Sequence, residues 1–120
     1  MTQAAVLGAN ASIMTTPVGT APGYQCRAWV NFNGTGTVAI RASGNVSSIT
    51  DNGVGIYTVN FTNALPDANY AVAGIGSYQN VMLAYADSTY TPTTTSVKVS
   101  VYASNGAFYD GNAVSVALFR

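Results

Sequence analysis

The chain has 120 residues, of which 48% are hydrophobic and only 7% are charged, whereas roughly 25% is usual for a soluble domain. Four basic residues balance four aspartates, and the chain contains neither histidine nor glutamate. This length fits one domain with a single core. Without a charge run, nucleic acid and acidic membrane surfaces are excluded as expected partners. The near absence of charge instead favours association of the chain with itself.

The first 22 residues are rich in Ala, Thr, Gly and Pro and show no sustained hydrophobic period. We therefore predict an extended N-terminal arm or attachment segment over 1–22 and a β-sandwich domain over 23–120. The arm has no basic region before its apolar stretch, so a signal peptide is not expected, and no run approaches the length of a membrane span. Cys26 is the single cysteine, and its position in an apolar run predicts a buried, inert thiol.

From Tyr24 onward, apolar and polar residues alternate in short runs separated by turn residues, a pattern typical of half-buried antiparallel strands. The run that contains Cys26, Ala28, Val30 and Phe32 is followed by Asn-Gly-Thr-Gly at 33–36, which predicts a hairpin. A weaker run follows at 46–49. Next come Asp-Asn-Gly at 51–53 and the clearest strand of the chain, with Tyr57, Val59 and Phe61 on one face.

The second half continues the pattern. Leu-Pro-Asp at 65–67 predicts a turn. Further strands are predicted from Tyr70, over 81–86, over 97–102 and over 114–118, and Asn105-Gly106 is expected to close a hairpin after the third of these. Strands about ten residues apart, with no helical period, indicate an all-β fold: an antiparallel sandwich or open barrel of about seven to eight strands.

The residue types argue against catalysis. Without histidine, the commonest general base and metal ligand is missing, and without glutamate only four aspartates remain as side-chain carboxylates. Each aspartate stands beside turn or loop residues, where its side chain commonly bonds the local backbone. The Gly-x-Gly pairs lead into no helix and have no lysine nearby. We therefore predict no catalytic residue, no metal site and no cofactor.

Tyrosine is unusually frequent, with eight copies in the chain. Some lie in predicted strands, but others fall in or beside loops that contain amide side chains. A tyrosine ring offers contact area at low entropic cost and its hydroxyl offers a hydrogen bond. The predicted receptor-contact residues are therefore Tyr78, Gln79, Asn80, Tyr90, Tyr109 and Asp110. The alternative is that these rings only cap the ends of the sandwich.

The segment RAWVNFNGTGTVAIR at 27–41, continuing through NVSSITDNG at 45–53 and YTVNF at 57–61 to LPDANY at 65–70, resembles a C-terminal or distal domain of tailed-bacteriophage tail fibres. The resemblance covers about residues 24–73. It implies a homotrimeric virion protein that contacts the host surface. The motif residues are strand and turn residues, so the resemblance assigns no binding residue.

These observations lead to one expectation with two alternatives. We expect a bacteriophage structural protein, a short tail fibre or receptor-binding tip, located in the virion after synthesis in the host cytoplasm. Its expected partners are further copies of itself, other virion proteins through the arm, and a host glycan or protein. The alternatives are a capsid decoration or head-fibre protein that clamps capsid subunits, and a carbohydrate-binding module.

Overall fold

A computed structural model describes residues 18–77, 81–85 and 90–120, with the backbone alone described for 81–83. The described part is all-β and has eight strands. Their bounds are β1 Cys26–Asn33, β2 Ala39–Gly44, β3 Val46–Gly53, β4 Ile56–Phe61, β5 Ala71–Gly76, β6 Val81–Tyr85, β7 Ser96–Ala103 and β8 Val114–Phe119.

The strands form two antiparallel sheets of four strands each. Sheet A has the order β2-β1-β8-β5, and sheet B has the order β3-β4-β7-β6. All six strand pairings are antiparallel. The predicted antiparallel β-sandwich is therefore confirmed.

The core lies between the two sheets and is built by the alternation seen in the sequence. Val97, Val99 and Val101 on β7 are all at most 1% exposed, and the first two pair with buried residues of β4 in the same sheet, sheet B. In sheet A, β8 supplies the inward side chains of Val114, Val116 and Leu118. Successive strand residues point to opposite faces, so each alternate position is left on the outside of the sandwich.

The chain passes from sheet A to sheet B at Asn45, which has a positive φ of 55°. Asparagine tolerates this left-handed conformation better than most residues. Its side-chain amide donates to the carbonyls of Arg27 and Asn63, and its Oδ1 accepts from the backbone N–H of Asn63. This network ties the connection between β2 and β3 to the start of β1 and to the segment that follows β4.

Irregular pairing is concentrated on that same side. Opposite β1, Arg41 is an extra residue in β2, because Asn31 pairs with Ala42 and Phe32 with Ile40. The pairing of β3 with β4 skips Ser47 and Asn52 in the same way. By contrast, β5 pairs with β8 and β6 pairs with β7 in unbroken register.

Two local expectations differ from the structure. Cys26 is exposed, not buried, because the register between β1 and β8 shifts between Cys26 and Ala28, so the alternation that buries Ala28 stops short of it. The turn at Asn105-Gly106 forms and is followed by a bridge between Tyr102 and Phe108, but the next strand, β8, lies in the other sheet. Of the predicted arm, residues 1–17 lie outside the described residues, and residues 18–22 are exposed.

Candidate functional site

The outer surface of sheet A is largely apolar and carries no charge across its centre, where the amide of Asn31 donates to the hydroxyl of Ser115 at 2.8 Å. Its cross-strand neighbours form what we call the apolar face, which consists of Trp29, Asn31, Ala42, Gly44, Ala71, Ala73, Ile75, Ser115, Ala117 and Phe119. The large members are unusually open for their type: Trp29 is 42%, Ile75 68% and Phe119 40% exposed. A contiguous patch of this kind on a soluble protein commonly marks an interaction surface.

The apolar face is not flat, because small residues lie between the large ones and leave a hollow. One row across the sheet reads Gly44, Trp29, Ala117 and Ala73. A Cβ added at Gly44 would collide with Nε1 of the Trp29 indole, so glycine is required for the ring to lie across β2. Between Trp29 and Phe119, over the alanines, lies an open hollow of about 510 Å³.

A second hollow, of about 480 Å³, adjoins the first at the end of β8 and is lined by Tyr24, Asn69, Ala71, Phe119 and Arg120. At its border, Nε and Nη2 of Arg120 donate to the two carboxylate oxygens of Asp67 at 3.0 and 2.9 Å. These bonds from Arg120, together with the backbone N–H of Asn69, hold the pKa of the Asp67 carboxyl below its usual range. The charge at this border is therefore already paired.

The outer surface of sheet B has the opposite character over β3, β4 and the start of β7, and we call this part the polar face. It is formed by Ser48, Thr50, Asn52, Thr58, Asn60 and Lys98. The amide of Asn60 donates to Oγ1 of Thr50 at 3.0 Å, and the amide of Asn52 donates to Oγ1 of Thr58 at 2.7 Å. Hydroxyl and amide groups of this kind keep the polar face hydrated, so the two faces of the sandwich differ sharply in chemistry.

One end of the sandwich is closed by a buried hydrogen-bond cluster. The hydroxyl of Tyr57 lies 2.9 Å from Oδ1 of Asp110 and 3.0 Å from the carbonyl of Gly34. The same Oδ1 accepts the backbone N–H of Gly55 at 2.8 Å. Burial, and next the hydrogen bond to Asp110, raise the pKa of Tyr57 well above its usual range. Asp110 thus joins the loop between β7 and β8 to the turns that follow β1 and β3.

Tyr90 is also held by the fold. Its ring packs on the core, its hydroxyl accepts the backbone N–H of Lys98 at 2.8 Å, and Nζ of Lys98 lies 6.0 Å from its ring centroid. The Tyr85 ring is another neighbour, with 6.0 Å between centroids. Burial raises the pKa of Tyr90.

The predicted receptor-contact residues fall into two groups. Tyr78, Gln79 and Asn80 lie outside the described residues. Tyr90, Tyr109 and Asp110 are all half-buried, and Tyr109 donates its backbone N–H to the carbonyl of Val101. The structure does not bring Tyr90 together with Asp110, since Tyr90 packs beside β7 and Asp110 closes the end near Gly34. Contact of any of these residues with a receptor stays a prediction.

No residue of the apolar face is among the predicted receptor-contact residues. The signal for this face was present in the sequences of β1 and β8, because Trp29, Ala117 and Phe119 occupy the alternate positions opposite the core residues of their strands. Strand alternation alone predicts such positions to be polar, so apolar residues on both faces of these strands indicate an interaction surface on the outside of the sheet.

The three aspartates within the described residues all have hydrogen-bond partners in the fold. Asp51 accepts the backbone N–H of Gly53, Asp67 pairs with Arg120, and Asp110 holds Tyr57. In the part of the chain that the structure describes, no three metal-binding side chains come together. The described residues also contain no helix that is long and apolar enough to cross a membrane.

No family model, curated protein or solved structure matches this chain.

Proposed function

We propose that this chain is a non-catalytic assembly module, a structural protein of a tailed bacteriophage virion that associates with further copies of itself through the apolar face. The single observation that carries the proposal is the contrast between the apolar face, with three large exposed side chains and no charge, and the polar face on the opposite side. An uncovered surface of this kind exposes the chain to indiscriminate association, whereas a fixed partner removes it from water.

The tail-fibre resemblance of residues 24–73 supports the further detail of three copies in a short fibre or receptor-binding tip. Three copies would present each loop three times. Weak contacts with a host glycan or protein would then gain strength through multiplicity, because linked sites bind at a high effective concentration. The polar face and the loops supply the exposed surface for such contacts.

Self-association is tested by sedimentation of the whole chain and of two matched lysine variants. Ala117→Lys places a charge at the centre of the apolar face, and Thr58→Lys places the same charge at the centre of the polar face. We expect a mass about three times 12.3 kDa for the chain and for Thr58→Lys, and a single-chain mass for Ala117→Lys. A single-chain mass for the unaltered protein at all concentrations would contradict the proposal.

Virion location requires a separate experiment. Antibody raised against the purified chain and carrying gold particles should label the tail of phage particles that encode the chain. Label on the capsid lattice would support the capsid decoration alternative instead. Particles without label would refute the virion assignment, and glycan binding by a single-chain protein would favour the carbohydrate-binding module.

A further inference from the structure

The four edge strands of the sandwich are protected to very different degrees. An edge strand presents unpaired backbone N–H and C=O groups, and proteins block unwanted pairing there with bulges and charged side chains. On one side, β2 carries the extra residue Arg41, whose guanidinium donates to Asn112. Its neighbour β3 carries Asp51 and skips Ser47 and Asn52. Both edges on that side thus combine irregular pairing with a charge.

The edges on the other side have neither device. The sequence of β5 is AVAGIG and that of β6 is VMLAY, so neither strand contains a charge or a proline. Each pairs in unbroken register with its single neighbour. Ile75 on β5 is 68% exposed. A straight, uncharged, apolar edge is the type that pairs with another strand.

The size of the apolar face also favours a contact on the side of the sandwich where β5 and β6 lie. Four strands spaced about 4.8 Å apart and six residues long cover about 400 Å² of the apolar face. A stable interface takes about 800 Å² from each partner. The apolar face alone supplies about half of this area, and the β5 edge adjoins it through Ala71, Ala73 and Ile75.

We infer that β5 of one copy pairs with β6 of the next copy, so that both unprotected edges are used. This inference rests on the proposed self-association and adds the strands that make the contact. Only four residues separate the end of β5 from the start of β6. Four residues are too few to span the length of a strand, so β6 begins at the end of the sandwich where β5 ends, and the two strands run in opposite directions.

The direction of the strands fits a rotational assembly. About an axis parallel to the strands, every copy presents β5 in one direction and β6 in the other, so β5 of one copy meets β6 of the next in antiparallel orientation. A contact between two different edges closes a ring when the rotation allows it. The protected edges β2 and β3 then face outward.

A groove at the paired side supports the same arrangement. It measures about 290 Å³, is lined by Val72, Gly74, Ala84, Tyr85 and Val99, and lies between β5 and β6 at the open side of the core. In the ring, strands of the neighbouring copies cover this opening. Their pairing removes Val72 and the 42% exposed Tyr85 from water.

Hydrogen exchange of single backbone amides in the unaltered assembly tests the pairing. In an unpaired edge strand, about every second amide points to solvent and exchanges fast, while the others bond the neighbouring strand. When a second strand pairs with that edge, the outward amides are protected as well. We expect all amides of β5 and β6 to exchange at least about a hundredfold more slowly than the outward amides of β2 and β3. If the outward amides of β5 exchange as fast as those of β2 in an oligomer, the inference is wrong while the proposed self-association stands.

A pair of lysine variants gives a second test. Ala73→Lys and Ala42→Lys place the same charge on the apolar face, at the unprotected β5 edge and at the protected β2 edge. Both residues belong to the apolar face, so both lysines should weaken association in sedimentation. Ala73→Lys, at the unprotected edge, should weaken it at least about threefold more than Ala42→Lys. Equal effects would overturn the inference. A single-chain mass for the unaltered protein would remove the proposed function as well. The exchange measurement needs no variant, so it decides the question even if Ala73→Lys does not fold.

Discussion

The cluster around Tyr57 supplies a prediction with a magnitude that follows from its contacts. Replacing Tyr57 by Phe deletes one hydroxyl and leaves the ring in place, packed edge-on against Phe32 with 5.1 Å between the centroids. No large cavity forms, so the loss comes mainly from the hydrogen bond to Asp110. A hydrogen bond to a charged partner contributes about 1.5–3 kcal/mol. We expect Tyr57→Phe to lower the free energy of unfolding by about 2 kcal/mol and Tm by about 8 °C.

The assay is urea unfolding followed by the fluorescence of Trp29, the single tryptophan, and by circular dichroism. Tyr102→Phe is the matched control, because Tyr102 is only half-buried on the outside of β7, and it should change the free energy by less than about 0.5 kcal/mol. A cycle that combines Tyr57→Phe with Asp110→Ala should show a coupling of at least about 1 kcal/mol. Additive effects, or a loss below about 0.5 kcal/mol for Tyr57→Phe, would refute the structural role assigned to Asp110.

Three further predictions concern pH and backbone geometry. Because Arg120 lowers the pKa of Asp67, this pair stabilises the fold above the unfolded pKa of about 3.9, and the stabilisation is lost as pH falls through the folded pKa. In Asp67→Asn, the urea midpoint should therefore fall less steeply as the pH is lowered. An unchanged fall would contradict the pairing. Burial raises the pKa of Tyr70, so the stability that its neutral hydroxyl provides is complete below about pH 10 and declines as pH rises further. Between about pH 9 and 11.5, the urea midpoint of Tyr70→Phe should fall less steeply than that of the unaltered protein. Equal slopes would count against this cause. Gly55 has φ 69°, and an added Cβ would lie 2.6 Å from the Val101 carbonyl, whereas at Gly106, with φ 85°, a Cβ meets open space. Urea unfolding should show that Gly106→Ala lowers the free energy of unfolding by about 1 kcal/mol and that Gly55→Ala lowers it by clearly more. Similar losses would show that the close approach at Gly55 does not matter.

In sheet A, the residues that alternate with the core residues are also largely apolar. Trp29 and Ala117 are cross-strand partners on the outside of sheet A, while Val30 and Val116 on the same two strands are at most 2% exposed. A sheet with apolar residues on both sides normally has both sides covered. The polar face of sheet B, with its Asn60–Thr50 bond, shows the ordinary pattern of one buried and one hydrated side.

Local patterns predicted the strands well because side-chain alternation is a property of each strand by itself. Tyr57, Val59 and Phe61 were predicted to share a face, and all three are buried. The strand predicted over 97–102 is also present, and alternation along it places Val97, Val99 and Val101 in the core. Cys26 was the exception, because a shift in pairing with β8, which no local pattern records, ends the alternation before it.

The amino-acid sequence by itself determined the all-β class, most of the buried positions, the turns and the scarcity of groups for catalysis, since these depend on residue type and on spacing of two to four residues. Only the tertiary structure decided which strands share a sheet, which edges stay open, and which distant residues meet. The contact between Tyr57 and Asp110 spans 53 residues, and the apolar face draws on β1, β2, β5 and β8. Such contacts arise from the pairing order of the strands. Pairing order depends on how the whole set of apolar surfaces is buried at once, and no single segment of the chain encodes it.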